Sequence, residues 1–298
     1  MKFNKKDTNE AQRILDIYNE DFEEDGEKLL AEIMLLQKFC INSEPDKQIN
    51  FIVSALGHLS KYFFDKGIFT RVLNENLPFM IKAISTSTRL SYTADILADP
   101  SYSGGYDCLH VFNMFKALSI NETNVINAYL QNTKPPFKNG HQSTVLLCNG
   151  LYAILGKHPA PDVIIQKLKS RKESSFFRAM YDCMYSLLEK NDEVFFRGYE
   201  GLIKGNKRQS SHSSLEKMIC LTAHAFKNLY ERLNGESEKF NNYSKLPFDE
   251  ELNLHLKTVK KHESFDLSYE SEVINNWINT LPTSINHTDL MTEIYNRA

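Results

Sequence analysis

Apolar residues recur along most of this chain at the three- and four-residue spacing of a helix face, and strand-like alternation is almost absent. Ala11, Ile14, Leu15, Tyr18 and Phe22 follow that rhythm and mark a first helix. Asp7, followed three residues later by Glu10, places its start at a capping box. A second helix covers Asp25 to Cys40. Pro45 opens a third in its first turn, which runs through FIVSALGHLSKYFF to a stop at Gly67. A fourth extends from about Pro78 to Leu97, and Pro100 with the SYSGGY segment then breaks the chain.

From Gly105 the pattern resumes as helix hairpins. CLHVFNMFKAL and NVINAYL are helical, with a turn at Asn121 and Glu122 between them. TKPPFKNG is a loop, because two prolines and a glycine forbid a helix. STVLLCNGLYAIL is a central helix, and Pro159 and Pro161 end it and start DVIIQKLKS, the one stretch that also reads as a strand. Ser213 and Glu216 form a second capping box. Leu215, Ile219, Thr222, Phe226, Leu229 and Leu233 continue from it along one face to a stop at Gly235. Three further helices are expected at Phe248–His262, Glu270–Thr280 and Thr288–Asn296.

An internal similarity sharpens this outline. VFNMFKALSINETNVINAYL aligns with DCMYSLLEKNDEVFFRGYE. Met114 then falls on Met184, Leu118 on Leu188, Asn121 on Asn191, Val125 on Phe195 and Tyr129 on Tyr199. Two amphipathic hairpins can look alike by chance. A duplicated unit that buries its apolar face on its neighbour would give a solenoid-like array instead. The fold expected is therefore all-α, an array of antiparallel helix hairpins with a possible repeat region at 105–235. With no linker rich in Pro, Gly or Ser, residues 1–298 are expected to form one domain, its N-terminal helices and acidic loop at 1–45.

Composition adds exclusions. The chain has 298 residues, 42% hydrophobic and 24% charged, an ordinary globular balance. The net charge of -3 lacks the basic surplus that duplex binding needs, so no nucleic-acid partner is expected. Cys40, Cys108, Cys148, Cys183 and Cys220 are scattered among apolar neighbours, as buried reduced thiols are. The opening MKFNKKDTNEAQ lacks a secretory apolar core, and no run of about 18 apolar residues could span a membrane. A cytoplasmic protein without a membrane partner is the expectation.

Searching for chemistry returns little. None of the nine histidines forms HExxH, and no CxxC pair, GxxxxGK[ST], GxGxxG after a strand, or GxSxG occurs. His255 and His262 share one face of the expected helix there and could approach a common ligand, although two solvated histidines are the simpler reading. Asp95, Asp99 and Asp107 flank the break at Pro100, where capping explains them as well as acid–base work. The basic runs at Lys167–Lys172, Lys204–Arg208 and Lys257–Lys261 read as solvated faces, and Trp277 as core. No catalytic residue, cofactor or metal is expected. The acidic run is the sharper feature. Glu20, Asp21, Glu23, Glu24 and Asp25 repel one another with no basic residue among them. A solvated loop explains them, and so does a docking surface for a basic protein.

SLLEKNDEVFFRGYEGLIKG, the loop PPFKNGHQS leading into VLLCNGLYAILGKHPAP, and LPFDEELNLHLKTVKKHESFD with the later Leu281-Pro282 carry a family resemblance. Over roughly Phe51 to Pro282 the layout resembles immunity protein family 49 of bacterial polymorphic-toxin systems. The segment that holds the acidic run matches least. The resemblance implies a cytoplasmic antidote, not an enzyme, that binds a cognate toxin or effector, a nuclease or deaminase for example, and occludes its active site. The competing readings are a helical-repeat scaffold binding a peptide or protein, and an enzyme with an unfamiliar site around Asp95 to Asp107.

Overall fold

The helical spacing is realised throughout. The computed structural model describes residues 3–21, 25–40, 43–98, 105–210, 212–245, 247–259 and 262–297. Among them are fourteen α-helices, one 3-10 helix and no strand. In chain order the helices are α1 (Lys5–Asp21), α2 (Asp25–Cys40), α3 (Pro45–Asn74), α4 (Leu77–Leu97) and α5 (His110–Ser119). Then come α6 (Thr123–Asn132), α7 (Gln142–Ile154), α8 (Pro161–Ser170), α9 (Ser175–Glu189) and α10 (Asp192–Asn206). The last are α11 (Leu221–Asn234), the 3-10 turn Glu238–Asn242, α12 (Glu250–Leu256), α13 (Glu272–Thr280) and α14 (His287–Arg297). PDVIIQKL, ambiguous in sequence, is helical as part of α8. The chain divides into a terminal unit, Phe3–Gly104 with Lys261–Ala298, and a central unit, Gly105–Lys260 with Met1–Lys2.

In the terminal unit, α3 and α4 pack along one another, α2 and α1 lie on α3, and α13 and α14 close on α4 and α2. The core gathers Ile33 and Leu36 of α2, Leu56 and Phe63 of α3, Trp277 of α13 and Leu290 of α14. α3 does not stop at Gly67 but runs on to Asn74. A Cβ at Gly67 would stand 2.9 Å from the Ala83 Cβ and 3.2 Å from the Met80 carbonyl oxygen. The glycine is there for close approach of α4, not for a turn.

The middle of α4 is polar yet buried: Ser85, Thr86, Ser87, Thr88 and Arg89 are all inside. Buried polar groups need partners, and most of these have them, the Arg89 Nε being left without one. Ser60 of α3 donates to the Ser87 carbonyl at 2.9 Å, and its hydroxyl lies 2.6 Å from that of Ser91. Thr86 accepts the Phe265 N–H at 2.8 Å. Arg89 Nη1 donates to the Ile278 carbonyl at 3.0 Å, and Tyr92 donates to the Pro282 carbonyl at 2.9 Å. These bonds tie the C-terminal helices to α4.

In the central unit α9 packs closely on α10. A Cβ at Gly198 would come within 2.9 Å of both the Ala179 carbonyl oxygen and the Asp182 Cβ, so α10 needs a bare backbone there. α7 packs on α8 and α9, and α11 on α5. Asn228 of α11 donates to the Leu118 carbonyl at 2.7 Å and to that of Ser119 at 3.2 Å, closing the end of α5.

The two similar segments form the helix pairs α5–α6 and α9–α10. Met114, Met184, Val125, Phe195, Tyr129 and Tyr199 are all buried. The turns differ by one residue. Asn121 takes the left-handed conformation in the first (φ 58), whereas Lys190 takes it in the second (φ 55). Asn191 caps α10 instead, accepting the Val194 N–H at 3.2 Å.

Two helix starts are corrected. Asn4, not Asp7, caps α1: its side chain accepts the Asp7 N–H at 2.9 Å and donates to the Asp7 carboxylate at 2.6 Å. Glu10 pairs with Arg13 instead. The Ser213–Glu216 box forms both of its bonds, at 2.8 and 3.2 Å, but closes only a turn. Helix α11 begins at Leu221, because the Cys220 N–H leaves the helical path to donate to the Pro247 carbonyl at 2.6 Å.

Candidate functional site

Burial sets the protonation of the cysteine and histidine side chains in the central unit. All five cysteines are buried free thiols. Cys148 Sγ lies 3.5 Å from His110 Nε2 in the central unit. Burial pushes the Cys148 thiol well up and pushes His110 down to about 4. That is the reverse of an activated thiolate–imidazolium pair. His110 is held by ring contacts with Tyr129, Phe137 and Tyr152 and lies 3.1 Å from the Tyr152 hydroxyl. His224 is stacked on Phe248 with centroids 4.3 Å apart. Its Nε2 accepts the Asp249 N–H at 3.2 Å, which fixes the proton on Nδ1 facing Asn253 Oδ1 at 3.0 Å. Burial lowers it to about 4.

The other flagged residues separate. Asp107 is a loop clamp, accepting the Lys138 and Asn139 N–H groups at 3.2 and 3.1 Å. Asp99 lies outside the described residues, and Asp95 is on exposed α4 surface. The helix expected to carry both His255 and His262 ends at Leu256, so they do not share a helix face. Among the described residues no group of three His, Cys, Asp or Glu could hold a metal ion, and no helix is long and apolar enough to cross a membrane.

Two surfaces remain. The first is α2. Its inward face supplies Ile33, Leu36 and Cys40 to the core, yet Leu30 (46% exposed), Met34 (59%), Leu35 (46%) and Phe39 (48%) stand in solvent. Phe39 stacks on Phe51 of α3 at 5.3 Å. Between α2 and α3 lies a small groove of about 140 Å³, bounded by Leu35, Phe39, Phe51 and His58, with Glu32 in its wall. The Glu32 carboxylate is buried, 3.0 Å from Lys28 Nζ and 3.5 Å from His58 Nδ1. The acidic residues lie just before this surface in sequence. Glu20 and Asp21 end α1 and Asp25 begins α2. Glu23, Glu24 and the side chains of Glu20, Asp21 and Asp25 lie outside the described residues.

The second is a cleft of about 810 Å³ in the central unit, formed by α7, α8 and the loop before α7. Val145, Leu146, Val163 and Ile164 line it with apolar surface. Lys138, Lys167, Arg171 and Lys172 line it too, and none of its lining residues is a carboxylate. Asn149 positions the loop, accepting the Phe137 N–H at 3.0 Å and donating to the Phe137 carbonyl at 2.9 Å. Arg171 is steered by Gln142 Oε1 at 2.6 Å and Glu173 Oε1 at 3.0 Å. Burial pushes the Glu173 carboxyl up, but hydrogen bonds from Ser143 and Arg171 outweigh it and hold it below its ordinary range. Lys167 and Lys172 are solvent-exposed, as the sequence suggests, but with Arg171 they also share this cleft. Lys138 and His158 complete it without any sequence motif to announce them.

The chain matches no family model, no curated protein and no solved structure.

Proposed function

We propose that this chain is a binding protein that docks a cationic protein partner on α2 and, in line with the family resemblance, neutralises it as an antidote does a toxin. The observation that supports this is α2, whose apolar residues exceed what the terminal core covers. Exposed apolar clusters of this kind mark interaction surfaces. Charge complementarity points to a basic partner. The acidic run precedes the exposed face in sequence, and carboxylates so placed suit a surface rich in lysine or arginine. The acids would speed encounter, and apolar anchoring around Phe39 would slow release.

The test uses the full chain as bait in toxin-expressing cells, beside two variants. One replaces Glu20, Asp21, Glu23, Glu24 and Asp25 by their amides, and the other carries Leu30→Ser with Met34→Ser. Support requires one near-stoichiometric basic partner whose toxicity disappears on co-expression. The amide variant should bind more slowly and with less salt dependence, and the serine variant should dissociate at least about tenfold faster. A partner held equally by wild type and both variants overturns the surface. A partner that stays fully toxic when bound overturns the antidote reading.

A further inference from the structure

Independently of the α2 surface, we propose that the central-unit cleft is a binding site for a small amphiphilic anion, an apolar body carrying a carboxylate, sulfonate or phosphate. At about 810 Å³ the cleft falls within the range of small-molecule sites, roughly 300–1,000 Å³. Its walls provide the two kinds of contact such a ligand needs. Val145, Leu146, Val163 and Ile164 offer apolar surface, and Val163 is 51% exposed, an aliphatic side chain left open in a helix that buries Ile164 beside it.

The charged wall is one-sided. Four cationic side chains line the cleft with no carboxylate among the lining residues. Arg171 is partly neutralised by Glu173. Lys138, Lys167 and Lys172 have no ion pair or side-chain hydrogen bond among the described residues, whereas Lys169, on the same helix as Lys167 but not in the cleft, pairs with Glu189 at 2.5 Å.

His158 supplies an independent sign. Its Nδ1 accepts the Ala160 N–H at 3.1 Å, so the neutral ring carries its proton on Nε2. That nitrogen is buried and meets no acceptor in the protein. His158 lines the cleft, and a ring turned outward would bring this donor to an oxyanion there. α7 also begins at the cleft, with Gln142 in its wall and no side-chain cap, and the positive end of a helix favours an anion.

The probe is 1-anilinonaphthalene-8-sulfonate, an aromatic anion, titrated into the full chain with methyl-labelled Val, Leu, Ile and Met. Expected are saturable shifts at Val145, Val163 and Ile164, displacement by decanoate, and no displacement by decyltrimethylammonium. Lys138→Gln, Lys167→Gln and Lys172→Gln together should weaken the probe about tenfold, the sum of three exposed charge contacts. The single variants Lys138→Gln and Lys172→Gln, at solvated positions, keep the test open should the triple variant fail to fold. Each should weaken the probe about two- to threefold. Shifts confined to Met34 and Leu35, equal competition by the cationic amphiphile, or unchanged affinity in the variants would overturn the proposal. So would an acidic peptide that displaces the probe where decanoate does not.

Discussion

The α2 face and the central cleft both leave aliphatic side chains in water, but they frame them with opposite charge. On α2 the apolar residues sit on the outside of a helix, behind an acidic stretch of sequence and above a buried glutamate. In the cleft they line a concavity bordered by lysines. Apolar burial is non-directional and carries little selectivity, so the sign of the surrounding charge decides what each surface can accept. The convex surface suits a large cationic partner, and the concave one a small anionic guest.

The comparison can be broken most severely with acid. His110 touches Phe137 of the cleft loop, and both His110 and His224 sit in the central unit with their protonation suppressed from 6.5 to about 4. The unfolded chain binds protons these sites refuse, so stability present above about pH 6.5 is lost as pH falls towards 4. At roughly 1.4 kcal/mol per unit, each histidine accounts for on the order of 3 kcal/mol. Hydrogen-exchange protection of α5, α7 and α11, corrected for intrinsic rates, should therefore fall with pH more than that of α3 and α4. Equal loss in both sets would remove the distinction.

Next in size is a contrast within α2. Leu36→Ala empties a fully packed position and should cost about 2–5 kcal/mol in denaturant unfolding followed by the fluorescence of Trp277, the only tryptophan. Met34→Ser, two residues earlier but in solvent, should change stability by no more than about 0.5 kcal/mol. Similar costs at both sites would mean that the exposed face is already covered within the fold.

The smallest effect sharpens the cleft. Glu173→Gln releases Arg171 from a partly exposed ion pair. Stability should shift by less than about 1 kcal/mol, while an anionic probe binds about two- to threefold more tightly. Isothermal titration alongside thermal unfolding reads both; weaker probe binding would show that Glu173 serves by positioning Arg171.

Helical periodicity made most of the fold legible, because a buried stripe leaves its mark on every turn. It failed where a residue answers to something distant. Gly67 has the composition of a stop signal, and only the arrival of Ala83 from α4 explains why the helix continues. The Ser213 box is chemically complete, yet Pro247, far along the chain, claims the next N–H group the helix would need. The cleft was hidden for the same reason. Lys138, His158 and the run from Lys167 come from separate elements, so none predicts the others. The exposed apolar residues of α2 were visible as letters, but periodicity cannot say which side of a helix with apolar residues on more than one face will be covered.

Ser60 has a consequence for how α3 and α4 find their alignment. Two helices of 30 and 21 residues packed along one another could slide by a turn, about 5.4 Å, and still bury much of their apolar surface. The serine acts as a detent. Only one setting brings its hydroxyl to the Ser87 carbonyl and the Ser91 hydroxyl together; a slip would leave the buried Ser60 hydroxyl without either partner. Such a catch adds little grip of its own, but it makes every misaligned position costly, and so the longest pair of helices in the chain can click into a single place.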